Sequence, residues 1–405
     1  MGKAGRFLGA LLLGTVPATV APAVAEPAPL PWTGTWETAP SGTARALPGT
    51  AVRNVVHLSV GGTAVRVRLS NRFGTAPLVL GAVTVAVRRS GAAAVPGTLR
   101  AATFRGARTA TVPPGRDLLS DPVPLVVRGA ADLLVTVLTP TGGGPATYHG
   151  TALQTSYLAP DGAAGAADES GSAYTGTTHH WYYVTGVDVR SAAAGTLVAL
   201  GDSLTDGTGS TPGTNHRWPD LLAARLRAHR LGVLNAGIAG NRLLRDGTGP
   251  SALARLDADA LDRAGVRVLV VLEGINDIKG TSGAADPADL ARAYRTLVAR
   301  AHARGIRAVG VTLTPYGGHP AHTPAREAVR QRVNAFIRTG GAFDAVADAD
   351  AAVRDPADPG RIRPGYDPGD HLHLNDAGMR AVAGAVARAL AHRPVVTAIG
   401  GTRPR

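Results

Sequence analysis

No cysteine occurs in the 405 residues. Thiolate nucleophiles and thiolate metal sites are therefore excluded, and no disulfide staples the fold, so burial and hydrogen bonding must hold it. Aromatic residues make up only 4% of the chain and charged residues 18%, and Lys3 and Lys279 are its only lysines. The formal net charge of +13 is accordingly almost all arginine, with Lys3 and Arg6 supplying two of the charges. These arginines are scattered, with no dense run and no interleaved aromatics, which argues against a nucleic-acid surface. No apolar run reaches the ~20 residues that a membrane span needs. Hydrophobic residues still amount to 44%, ample for packed cores, and the length favours two or three domains.

What is present begins with a leader. Lys3 and Arg6 precede a largely apolar stretch from Phe7 to Val16, which Pro17 interrupts. Ala23-Val24-Ala25 supplies a small-x-small cleavage pattern, leaving Glu26 as the new N-terminus. Residues 1–25 thus read as a signal peptide rather than an anchor. The expectation is a secreted, extracellular protein with no transmembrane anchor after cleavage.

Residues 26–190 read as an all-β accessory domain. The stretches Val65–Asn71, Val83–Arg88, Leu133–Thr139 and Tyr182–Val189 alternate with period two and are separated by Gly, Pro and Asp clusters. No convincing helix pattern appears among them, so an antiparallel β-sandwich of jelly-roll type is expected. Pro160–Gly176, rich in Ala, Gly and Ser, reads as a flexible loop or a stretch of low order.

Near Ser191–Gly195 the pattern changes to strands alternating with helices. Thr196–Leu200, Arg267–Gly274 and Ile306–Thr314 are apolar runs suited to parallel strands buried on both faces. Trp218–Gly232 reads as an amphipathic helix that ends on Gly232. Asp286 and Pro287 open a second helix closed by Gly305, Thr323-Pro324 opens a third, and Asn375–His392 forms the last. An α/β domain over 191–393 with a parallel sheet follows, and residues 394–405 form a tail.

The chemistry gathers at strand ends, where open α/β sheets place their ligands. Ser203 follows the apolar run Thr196–Leu200 after Gly201 and Asp202, with Gly201 allowing a sharp turn. Thr205 stands where an α/β-hydrolase elbow needs glycine, so that motif is excluded. A serine hydroxyl needs a base and the base an orienting group. Asp370 and His373 are spaced so that one turn can present a carboxylate to the imidazole. Gly240, in Asn235–Asn241, and Asn276, in Glu273–Asp277, follow two further strands and can donate to a developing oxyanion. Asp202, Trp218, Arg242, Tyr316 and His319 are candidate substrate contacts.

Residues from about 196 to 392 resemble the SGNH, or GDSL, hydrolases. The family's four blocks occur in order as Gly-Asp-Ser-Leu with Ser203, Asn-Ala-Gly-Ile-Ala-Gly with Gly240, Gly-Ile-Asn-Asp with Asn276, and Asp-His-Leu-His with Asp370 and His373. The resemblance implies a flavodoxin-like three-layer fold. It also implies a catalytic triad of Ser203, His373 and Asp370, and an oxyanion hole built from the Ser203 N–H, Gly240 and Asn276. No cofactor and no metal are implied. Where the family often has His-Pro-Asn, this chain has His373-Leu374-Asn375, and His371 stands beside Asp370 as a rival base. The β-domain ahead of this half is similar to that of exported actinobacterial members.

The expected function is cleavage of carboxylic esters through an acyl-enzyme. The loops Asp206–Trp218, Asn241–Gly249 and Thr314–Pro324 are polar and glycine-rich, which suits short acyl groups or sugar-linked esters, such as an acylated carbohydrate or cell-wall polymer. Three other readings stand beside it. A metal could sit on Asp370, His371 and His373 with His319 or His322. The β-domain could bind a polysaccharide, and the scaffold could carry a transacylase or a carbohydrate-active enzyme.

Overall fold

The computed structural model describes residues 1–2, 29–280 and 285–391. The signal peptide, apart from its first two residues, and the 394–405 tail lie outside the described residues.

From Trp32 to Arg190 the chain is mostly β-strand. One antiparallel sheet orders Trp32–Glu37, Val184–Arg190, Val65–Ser70 and Asp117–Leu119. A second is centred on Asp132–Leu138, which pairs with both Ala51–His57 and Ala82–Ser90. Alternate residues of the two sheets meet in one core that holds Trp36, Val65, Val67, Val187, Val83, Val135 and Trp181. The period-two pattern is the direct cause: it gives each strand one face that must leave water.

Pro160–Gly176 is not a loose loop. Gly162–Ala167 forms a short helix capped by Asp161, and Tyr174 is buried. The organiser is Arg53, fully buried, whose guanidinium donates to the carbonyls of Ala92, Gly165 and Asp168 and lies 4.1 Å from the Tyr174 ring centre. Its Nε donates to Thr136 Oγ1 at 2.9 Å. Small residues let the helix approach the sheet closely enough for these bonds.

Five parallel strands follow: β1 (Gly195–Gly201), β2 (Leu231–Gly237), β3 (Val266–Leu272), β4 (Arg307–Val311) and β5 (Ala345–Ala347). Their order in the sheet is β2-β1-β3-β4-β5, the flavodoxin-like order. Helices Trp218–Arg225, Pro287–His302, Pro324–Thr339 and Asp376–Ala391 cover it. Their starts follow the sequence signals. Asp286 accepts from the Ala288 N–H ahead of Pro287, and Thr323 accepts from the Arg326 N–H ahead of Pro324.

The helix expected to run to Gly232 ends at Arg225, and a 3-10 turn, Arg227–His229, follows before Arg230 in the left-handed region. Gly232 lies inside β2 instead. A Cβ there would stand 2.0 Å from the carbonyl oxygen of Gly34, so glycine marks the seam where the first β-region strand crosses the parallel sheet. Hydrogen bonds from the Gly34 N–H to Ala264 O and Thr196 Oγ1, both at 3.0 Å, close that seam. The ion pairs Arg72–Asp259 at 2.5 Å and Arg263–Glu37 at 2.6 Å lie along it, with all four side chains mostly buried.

Candidate active site

β1 is the central strand of the site because β2 and β3 flank it. Gly201 is level with Gly237 on one side and with Leu272 on the other. The segments carrying Ser203, Gly240 and Asn276 therefore leave the sheet side by side.

Ser203 opens a four-residue helical turn, Ser203–Asp206, and is 6% exposed. Asp202 caps that turn by accepting the Leu204 N–H at 3.0 Å. His373 Nε2 lies 2.9 Å from Ser203 Oγ, and His373 Nδ1 lies 2.5 Å from Asp370 Oδ2. With Nδ1–H donating to the carboxylate, Nε2 is the lone-pair nitrogen that accepts the serine hydroxyl. Asp370 Oδ1 also accepts the N–H groups of Leu372 and His373. Burial pushes the Asp370 carboxyl up, but these bonds outweigh it and hold the group below the usual carboxylate range.

The loop bearing His373 is pinned from two sides. A Cβ on Gly209 would stand 2.6 Å from Leu374 O, so a glycine allows the close pass beside the nucleophile turn. Asp376 accepts the Thr211 N–H and pairs with His216 at 2.7 Å. Leu374, where the family often has proline, is fully buried, and Asn375 accepts the N–H groups of Ala377 and Gly378 at the head of the last helix. The rival base His371 bonds Asp367 at 2.6 Å rather than Asp370.

Gly240 has φ +81 and is exposed. Its N–H and that of Ser203 have no protein acceptor among the described residues. Asn276 is 6% exposed, and its Nδ2 donates to Asn241 O at 2.8 Å, leaving one amide hydrogen free. The candidate oxyanion donors are thus joined through Asn241, which also accepts from Arg255 at 3.0 Å.

Of the candidate substrate contacts, three are corrected. Trp218 is fully buried, its indole N–H directed at Thr205 Oγ1 at 3.4 Å, because the first turn of its helix packs onto the core. Asp202 is 1% exposed and occupied as a cap. Tyr316 is fully buried beside Ile275 and Leu372. Arg242 and His319 are half-buried and open to solvent. No group of three or more His, Asp or Glu placed to hold a metal ion occurs among the described residues.

Several contributors carry no motif of their own. Arg255, 2% exposed, donates to the carbonyls of Gly201 and Ala236 as well as to Asn241. Asp277 accepts the N–H groups of Leu243 and Leu244. Asp202 and Glu273 directly follow the paired strand ends Gly201 and Leu272 and are both buried. Burial pushes Asp202 up to about 7, and burial together with the Asp202 charge raises Glu273 well above its ordinary value. Lys279 is held below the usual lysine range by burial, against the pull of Asp202 and Asp370. A lone lysine in an arginine-rich domain was the one sequence signal for it.

Residues 199–381 match the model of the GDSL-like lipase/acylhydrolase family. No curated protein matches the chain. Among solved structures, the chain is similar to an aryl esterase from M. smegmatis, at 19% identity and TM-score 0.40 over 49% of this chain and 99% of that one. It is also similar to Est24, a carbohydrate acetylesterase from Sinorhizobium meliloti, at 16% identity and TM-score 0.39 over 49% and 98% of the two chains. LAE5, an alpha/beta hydrolase enzyme from the metagenome of Lake Arreo, Spain, shares 22% identity at TM-score 0.39 over 50% of this chain and 97% of that one.

Proposed function

We propose that this chain, whose residues 199–381 match the model of the GDSL-like lipase/acylhydrolase family, is an exported serine esterase working through a Ser203–His373–Asp370 triad. The observation that carries this reading is the pair of contacts at His373, 2.9 Å to Ser203 Oγ and 2.5 Å to Asp370 Oδ2.

Ser203 Oγ attacks the acyl carbon while its proton passes to His373 Nε2. Asp370 keeps the proton on Nδ1 and stabilises the imidazolium. The negative charge that builds on the carbonyl oxygen is received by the N–H groups of Ser203 and Gly240 and by the free amide hydrogen of Asn276. Collapse breaks the C–O bond, His373 protonates the departing alcohol, and water releases the acyl group by the same steps. Polar, glycine-rich loops around the site support short acyl or sugar-linked esters as substrates.

Ser203→Ala should abolish turnover of p-nitrophenyl acetate while circular dichroism stays that of the wild type. Undiminished turnover in that variant would overturn the triad. Export is tested by the mature N-terminus: mass spectrometry of secreted protein should find Glu26 first.

A further inference from the structure

His149, which ends the strand Ala146–His149 of the β-region, has a side chain only 1% exposed, and its ring packs 5.5 Å from that of Trp181. Each ring nitrogen faces oxygen atoms. Nδ1 lies 2.7 Å from the carbonyl of Ala39, while Nε2 lies 3.0 Å from Asp206 Oδ1 and 3.2 Å from the carbonyl of Thr151. Two of these partners are peptide carbonyls, which only accept. A neutral ring beside an ionised Asp206 would aim one lone pair at an oxygen, an unmade bond between two buried side chains. The shared proton belongs on the imidazole, because the Thr151 carbonyl beside Nε2 can only accept an N–H.

The far side of Asp206 faces the catalytic apparatus. It is the last residue of the nucleophile turn, and its Oδ2 accepts the N–H of Ala239 at 2.9 Å, next to Gly240. Its own N–H donates to Asp202 O at 2.8 Å. Arg217, which lines a crevice with Asp206 and Trp181, is spent on Asp220 and on the carbonyl of Ala152.

We infer that His149 is a positioning residue for ester hydrolysis: a buried imidazolium, supplied by the β-region, that orients Asp206 so that Asp206 fixes the Gly240 N–H relative to Ser203. This rests on the triad reading above. Burial alone would push the ring's pKa down, but the Asp206 carboxylate and the two carbonyls more than reverse it, leaving the ring above its ordinary value. The clamp is therefore intact below that raised value and is lost as pH rises through it. Among the described residues, Asp206 is the charged group in contact with the ring. The β-region is on this account part of the catalytic framework.

Two measurements test the inference. Long-range ¹H–¹⁵N spectra of the whole wild-type protein at pH 7 should show both nitrogens of one imidazole protonated, in a signal absent from His149→Gln. A neutral tautomer for that ring would overturn the inference, whatever the variant does. In His149→Gln the amide still donates to Asp206 but carries no charge. Its kcat for p-nitrophenyl acetate should fall about 10- to 100-fold, a shift of the oxyanion loop, with KM within about 3-fold. The wild type's loss of kcat at alkaline pH should also vanish. An unchanged kcat or a change confined to KM sinks the idea. Failure of the triad reading would show separately, as ester turnover by Ser203→Ala, and leaves the spectrum untouched.

Discussion

Arg255 Nη2 donates to the carbonyl of Gly201 across 2.9 Å, and the same guanidinium reaches the carbonyl of Ala236 at 2.7 Å and Asn241 Oδ1 at 3.0 Å. One buried side chain thus ties the end of β1, the end of β2 and the loop that follows β2. Replacing it by methionine removes three buried hydrogen bonds and leaves Asn241 Oδ1 without a donor, while the carbonyl of Gly201 keeps the Ile238 N–H. The expected loss of stability is about 3–5 kcal/mol, read from the urea midpoint, together with a lower kcat. Arg255→Lys keeps the charge but not the fork, so it should fold and still lose kcat. A wild-type midpoint in the methionine variant would contradict the tie.

Asn276 carries a second prediction. Its carboxamide is anchored to Asn241 O by one hydrogen, and on the proposed mechanism the other receives charge that appears only during acyl transfer. Asn276→Ala should therefore lower kcat about 10²–10³-fold and leave KM nearly unchanged. A change carried mostly by KM would mean that the amide binds ground-state substrate instead.

The Asp202–Glu273 pair gives stability a distinct pH dependence. Asp202 ionises near 3.8 when unfolded and near 7 when folded, because burial opposes its charge. Between those values the folded chain holds a proton that the unfolded chain releases, so stability falls as pH rises from about 4 to about 7. Glu273, raised well above its ordinary value by burial and the Asp202 charge, adds to the fall. Glu273→Gln keeps an oxygen to accept the Gly274 N–H, a bond of 3.1 Å, and removes the titration. Its Tm should exceed that of the wild type at about pH 8 and match it at about pH 5. The same slope in both proteins would refute the assignment.

How much of this was legible in the sequence depended on whether the deciding contacts were local. The starts of helices Pro287–His302 and Pro324–Thr339 could be read because cap and proline sit beside the element they start. Ser203, Gly240 and Asn276 could be picked out because each follows a strand, and Asp370 and His373 because their spacing lets one turn present both. Arg53, by contrast, orders a segment more than 100 residues away, through bonds to Gly165 and Asp168. His149 and Asp206, 57 residues apart, meet only once the β-region has docked. Nor does composition tell a tryptophan at a helix start from a pocket wall, and Trp218 is core.

Gly232 and Gly305 look alike in sequence, each following an apolar helix, yet the structure gives them opposite costs. Gly305 has φ +67 with open space where a Cβ would go, so Gly305→Ala meets only backbone strain, about 1 kcal/mol. At Gly232 the added carbon would stand 2.0 Å from Gly34 O and 3.1 Å from Thr33 Cγ2, and neither backbone can yield without opening the seam. Opening it pulls Gly34 from Ala264 and Thr196, and Ser59 from the Val233 N–H. Gly232→Ala should therefore lose several times the stability of Gly305→Ala, on the order of 3 kcal/mol or more, by denaturant midpoint. Gly305→Ala should keep wild-type kcat, since the turn is remote from the catalytic groups. Equal midpoints for the two variants would show that the β-region does not press on the edge of the parallel sheet at this glycine.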